Sequence, residues 1–173
     1  APTGVGHNAY YRTEEEYIFA VADALAEEYR GIVEAGFLLQ VDDPFLPDVY
    51  MDDSLDDAAK AKKAGMYIEA INHCLDGIPP EKVRFHTCYG INAGPRVHEP
   101  GFPDMIDQVL KANVGAYSFE AANPRHEHEY HMWEQVRLPE DKLVLPGVIT
   151  HASTVVEHPE YIAERIIRFA ERV

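Results

Sequence analysis

The sequence predicts an α/β fold, about half of a TIM-type (β/α)8 barrel, and three observations carry that expectation. Amphipathic helices alternate with short apolar strands along the whole chain. Each strand ends in polar residues able to do chemistry: Asp42-Asp43, His86-Thr87-Cys88, Glu120 and Thr150-His151. The length, 173 residues, is short of the roughly 250 that a complete barrel needs. Alternation of this kind means right-handed βαβ units and a parallel sheet, with sites at the carboxyl ends of the strands. Four such strand ends in succession favour a barrel, where they converge on one mouth. A small open α/β domain is the competing expectation.

Taken in order, Thr13 followed by Glu16 forms a capping box. Behind it Ile18, Val21, Ala22, Leu25, Tyr29, Ile32 and Val33 keep the helical period for about five turns, until Gly36 ends the helix. Phe37-Leu38-Leu39-Gln40-Val41 reads as a mostly buried strand closed by Asp42-Asp43-Pro44. A helix over 55–75 carries Tyr67, Ile71 and Leu75 on one face and stops at Gly77. Pro79-Pro80 leads to a second strand at 83–86. A short helix at 104–111 turns Met105, Ile106 and Val109 inward, and a third strand runs over 114–120. The fourth occupies 143–149. Pro159 opens the last helix, with Ile162, Ile166 and Phe169, beside Ala163, Ile167 and Ala170, as its buried stripe. No low-complexity linker interrupts the series, so residues 1–173 are expected to form one partial barrel domain.

Composition narrows the function classes. Hydrophobic content of 46% and charged content of 26% are those of an ordinary globular protein. Thirty Asp plus Glu against fifteen Lys plus Arg give a formal charge of −15, a field that repels phosphate backbones and argues against nucleic acid as a partner. The acidic residues are spread over helix faces, as on a solvated surface. No apolar run approaches the roughly 20 residues that span a bilayer, and no basic-then-apolar leader is present, so a cytoplasmic location without membrane contact is expected. Cys74 and Cys88 are too few for a disulfide framework and point to reduced thiols.

His86-Thr87-Cys88 is the sharpest motif. Residues two apart on a strand point to the same side, so the imidazole and the thiol can approach one cation together. A His nitrogen and a Cys thiolate suit zinc; a core thiol beside a hydrogen-bonded histidine is the competing explanation. Glu120 closes an otherwise apolar run, where a carboxylate is costly unless it is paired or metal-bound. A salt bridge to Arg125 is its other role. The run from Arg125 to His131, Arg-His-Glu-His-Glu-Tyr-His, lacks the H-E-x-x-H spacing of zinc proteases and alternates in charge like an exposed helix start, although His126 lies near enough to Glu120 to reach a substrate. Asp42 and Asp43, before a proline, fit either a capping turn or recognition of a cationic or hydroxyl group. His151 is a candidate general acid.

Together, Gln40-Val41-Asp42-Asp43-Pro44, Phe85-His86-Thr87-Cys88-Tyr89-Gly90, Tyr117-Ser118-Phe119-Glu120-Ala121 and Leu145-Pro146-Gly147-Val148-Ile149 resemble cobalamin-independent methionine synthase and its single-barrel relatives. The resemblance covers the chain from about Tyr10 to Val173 and implies a zinc-dependent methyl- or alkyltransferase on a TIM barrel. It implies His86, Cys88 and Glu120 as zinc ligands, Asp42 as the group that binds the amino end of homocysteine, and a reduced folate as methyl donor. His151 matches the family's leaving-group histidine only after a one-residue shift. The family's fourth ligand, a cysteine, is expected beyond Val173, and the chain is expected to cover about strands four to seven.

The expected reaction is attack of a metal-activated thiolate on an electrophilic carbon, with a positioned acid protonating the leaving atom. Its partners are a small-molecule thiol and an alkyl donor. Transfer to another thiol, such as coenzyme M, is the alternative within the same chemistry. The related uroporphyrinogen decarboxylases need no His-x-Cys pair, so His86 and Cys88 argue against them. A non-catalytic partial barrel is a further alternative, and exposed strand edges would then favour a homo-oligomer.

Overall fold

A single parallel sheet organises the computed structural model, which describes residues 8–90 and 97–173. Its strands are β1 (Leu39–Asp43), β2 (Val83–Thr87), β3 (Ala116–Glu120) and β4 (Leu143–Gly147), hydrogen-bonded in the order β1-β2-β3-β4. The helices between and around them are α1 (Glu14–Glu34), α2 (Phe45–Met51), α3 (Asp57–Cys74), α4 (Phe102–Val109) and α5 (Pro159–Ala170). Each strand pairs with the next one in the chain. That sequential order is consistent with a segment of a barrel.

The two faces of the sheet differ. Leu39 and Val41, Val83 and Phe85, and Tyr117 and Phe119 are buried, packed with Leu46, Ile68, Met105 and Val109 from the helices in one core. The alternate residues, Gln40, Asp42, Arg84, His86, Ser118 and Glu120, lie on the other face and are exposed or half-buried. The period of two along each strand puts apolar residues against helices and polar ones on an open face. No helix among the described residues is long and apolar enough to cross a membrane.

Local chemistry explains most boundaries. Thr13 Oγ1 accepts from the Glu16 N–H at 3.1 Å, while the Glu16 carboxylate accepts from the Arg12 N–H at 3.0 Å, one residue earlier than in a strict capping box. Gly36 takes φ +90°, a left-handed conformation that ends α1. α4 keeps its expected face, with Met105, Ile106 and Val109 buried, whereas of the face expected for α3 only Leu75, its C-cap, is fully buried and Tyr67 and Ile71 are half-buried against the same core.

Four expectations are corrected. The first strand begins at Leu39, not Phe37, because pairing starts at Leu39 with Val83; Phe37 and Leu38 are 66% and 72% exposed. Asp42 and Asp43 belong to that strand, and the short helix α2 follows at once. The segment after β3 is not an exposed helix: it turns and then forms a 3-10 helix, Glu129–Glu134, with His126, Glu129, Met132 and Trp133 buried. The apolar pull of Met132 and Trp133 and a carboxylate partner on each side of His126 outweigh the surface-like charge pattern. In α5 the buried residues are Arg165 and Phe169, while Ile166 and Ile167 are 50% and 52% exposed. Phe169 reaches Phe119, with ring centroids 5.8 Å apart, and α5 meets the rest of the described residues along that line rather than along the whole apolar stripe.

Candidate metal centre

The site forms where β1 and β2 end. Asp42 is the register partner of His86, so both side chains project from the open face at the same level. His86 Nε2 stands 3.6 Å from Asp42 Oδ1. Cys88 continues the same parity beyond Thr87, and its N–H donates to Asp43 O at 3.0 Å, which keeps it aligned with β1. One ligand atom from each of Asp42, His86 and Cys88 lies within 4.8 Å of the others, the one such group among the described residues.

Two contacts prepare these atoms. The other ring nitrogen of His86, Nδ1, is 3.2 Å from Ser118 Oγ on β3, a contact that orients the ring with Nε2 toward Asp42. The Gly90 N–H donates to Cys88 Sγ at 3.3 Å, and Gly90 adopts φ +74° to bring it there. Nitrogen, sulfur and carboxylate oxygen are the donor types zinc takes, with donors about 3.5 Å apart around a tetrahedral ion. The present spacing is near that, and Asp42 is exposed enough to rotate inward. The residues therefore fit a zinc ion held by His86 and Cys88 with Asp42.

Glu120 ends β3 two residues after Ser118 and on the same face. Its carboxylate faces His151, with Nδ1 3.4 Å from Oε1, so the structure brings these two together and sets them beside the Asp42-His86-Cys88 group rather than within it. Asp43 points to the opposite face. Its Oδ1 accepts the Phe45 and Leu46 N–H groups at 2.8 and 3.2 Å, the capping role that its sequence position also allowed. Burial pushes its carboxyl above the usual range, against those two bonds.

His126 is 1% exposed and fully engaged. Nδ1 lies 3.0 Å from Glu129 Oε1, Nε2 lies 3.3 Å from Glu99 Oε2, and the ring stacks on Tyr89 at 4.3 Å. Burial works against the imidazolium, but the Glu129 and Glu99 carboxylates outweigh it and hold the pKa above its ordinary value. The Glu129 carboxylate also accepts from the Phe102 N–H at 3.1 Å, which ties this cluster to the start of α4.

Sequence reasoning did not single out Ser118, Glu99 or Arg165. Ser118 carried a usable signal, since it lies two residues before Glu120 on one strand face. Arg165 carried another: it stands between Ile162 and Phe169 on the stripe of α5 that was expected to be apolar.

Comparison with known proteins finds distant relatives under two names. A protein named methionine synthase from Saccharolobus islandicus is 28% identical over 167 residues, covering 95% of this chain and 42% of that protein. Another of the same name from Saccharolobus solfataricus is 29% identical over 85 residues, 49% of this chain and 22% of that protein. A 2-hydroxypropyl-CoM lyase from Xanthobacter autotrophicus is 22% identical across 199 aligned positions, covering all of this chain and 50% of that protein. The chain thus spans half or less of the length of these curated relatives. No protein-family profile matches it. This is thus an α/β chain with distant sequence similarity to proteins named methionine synthase and 2-hydroxypropyl-CoM lyase.

Proposed function

We propose that this chain forms part of the active site of a zinc-dependent enzyme that transfers a methyl group from a reduced folate to a thiol such as homocysteine, in a barrel completed by further strands. The convergence of Asp42, His86 and Cys88 at one strand end is the observation that carries this reading. The sequential strand order and the full-chain similarity to proteins named methionine synthase support it.

Zinc, when bound, lowers the pKa of a coordinated thiol, so that a thiolate exists at neutral pH. His86 and Cys88 would hold it, with Asp42 beside them and Glu120 on the neighbouring strand. Ser118 fixes the His86 ring, and the Gly90 N–H donates to Cys88 Sγ. His151, whose Nδ1 lies 3.4 Å from Glu120 Oε1, would be the acid that protonates the leaving nitrogen. Asp42, if not drawn to the metal, presents a carboxylate to the ammonium of an amino-acid thiol.

Alkyl transfer to another thiol, such as coenzyme M, is the second reading; the 2-hydroxypropyl-CoM lyase that aligns with the whole chain favours it. Elemental analysis tests the shared premise: about one zinc per chain is expected, lost in Cys88→Ala. Metal retained in that variant, or none in the parent, removes the zinc reading. Incubation with methyl-folate plus homocysteine, against other thiols and alkyl donors, separates the two substrates.

A further inference from the structure

We propose that Arg165 is a positioning residue that braces the segments after β3 and β4, so that His151 is held against Glu120. Its catalytic consequence rests on the thiol-alkylation reading above; the brace itself does not. Arg165 projects from α5 with its side chain 6% exposed. Nη1 donates to Val148 O at 3.0 Å and to Glu157, and Nη2 donates to Glu127 Oε2 at 3.1 Å and to Ala122 O at 3.3 Å. One guanidinium therefore ties the residues that follow Glu120 to the residues that precede His151.

Glu157 carries the restraint one step further. One of its oxygens takes the Arg165 bond, and the other accepts from the Thr150 N–H at 2.8 Å, beside His151 in the chain. Residues 148–157 have no helix or strand, and the bonds within them are local, such as the Ala152 N–H to Thr150 Oγ1 at 3.0 Å. Among the described residues the bond that reaches this loop's backbone from outside it comes from Arg165 at Val148, and Glu157, at the loop's end, links Thr150 to the same guanidinium.

A buried arginine is a poor choice for stability alone. Replacement of buried ion pairs by apolar residues is often neutral or stabilising, and an apolar residue at 165 would extend the stripe of Ile162 and Phe169. What a guanidinium offers instead is a rigid planar fork that reaches several acceptors at fixed angles, which lysine cannot match. Arg165 has such acceptors on two different loops.

The test is histidine-ring nitrogen NMR of the full chain without metal, with His151→Gln to assign the signal. Glu120→Gln is expected to move the His151 ring signals, because it removes the carboxylate facing Nδ1. Arg165→Met is expected to move them in the same direction with the circular dichroism unchanged, and Arg165→Lys to restore them in part. Glu157→Ala, which cuts the links to Thr150 and to Arg165 Nη1 but leaves Arg165 its bonds to Val148 O, Ala122 O and Glu127, is expected to do the same and decides the matter if Arg165→Met fails to fold. His151 signals that match the parent in both Arg165→Met and Glu157→Ala overturn the proposal, as does loss of folding in both. Failure of the parent chain to bind zinc when it is added would sink the zinc reading and leave the His151 result standing.

Discussion

Asp42 and His86 are register partners on adjacent parallel strands, and their side chains meet at 3.6 Å on the open face of the sheet. Neighbouring strands lie about 4.8 Å apart, so the meeting is set by strand pairing rather than by a loop. Cys88 inherits the same alignment through its bond to Asp43 O. A donor set built on paired backbone is already ordered before a ligand arrives.

That order gives Asp42 a testable role. Asp42→Asn is expected to weaken zinc binding by more than the roughly 10–100-fold that changes outside the ligand shell cost. Competition with a chromophoric chelator measures it. Unchanged zinc affinity together with weaker thiol binding would instead make Asp42 an anchor for the substrate.

Ser118 acts on His86 from the other side. Ser118→Ala removes the partner of Nδ1, so the ring is free to turn or change tautomer. Zinc affinity is expected to fall about 10–100-fold, with a loss of stability no larger than about 1 kcal/mol, since one half-buried hydrogen bond is involved. A drop in thermal stability without a change in zinc affinity would show that the contact serves packing only.

Where sequence and structure agree, periodicity is the reason. Met105, Ile106 and Val109 are buried as expected because a helix against a sheet has one apolar stripe and nothing competes for it. His86 and Cys88 meet because strand parity is a local property. Asp42 beside His86 was not legible, since register between strands more than 40 residues apart depends on the whole α3 crossover. His126 was misread for a related reason. Its sequence neighbours alternate in charge, and the partner that draws it inward with Glu129, Glu99, lies 27 residues away. Arg165 defeated the hydropathy pattern because its acceptors, two backbone carbonyls and two carboxylates, come from other segments, which composition does not reveal.

Gly115 is a position where backbone contact forbids a side chain. A Cβ there would lie 2.7 Å from Pro80 O and 2.8 Å from Glu81 Cα, atoms that cannot rotate away. Gly115 also ties three strands, donating to Val83 O and accepting from the Leu143 N–H, each at 3.0 Å. Gly115→Ala is expected to cost about 1–3 kcal/mol, as overpacking does. Gly31, inside α1 with nothing within 4 Å of its added Cβ, gives the opposite sign. Gly31→Ala should stabilise by about 0.5–1 kcal/mol. Denaturant midpoints of the two variants decide; equal shifts would contradict the close approach at Gly115.

His126 makes stability depend on pH in a defined direction. It is buried between Glu99 and Glu129, whose carboxylates outweigh the burial penalty and raise its pKa in the folded state. A raised pKa means that the folded state holds the proton more tightly than the unfolded chain does. The contribution is therefore complete below the unfolded value of about 6.5 and is lost as pH climbs through the higher folded value. Above that point a neutral imidazole stands between the two carboxylates, and the attraction of the imidazolium for them is gone. The stability gap between the parent and His126→Gln should be widest near pH 6 and shrink steadily toward pH 9. Urea midpoints across that range measure the gap, and taking the difference cancels the other histidines. A gap that stays constant would mean that the buried ring is not an imidazolium, and that its stacking on Tyr89, not its charge, holds the segment after β3 in place.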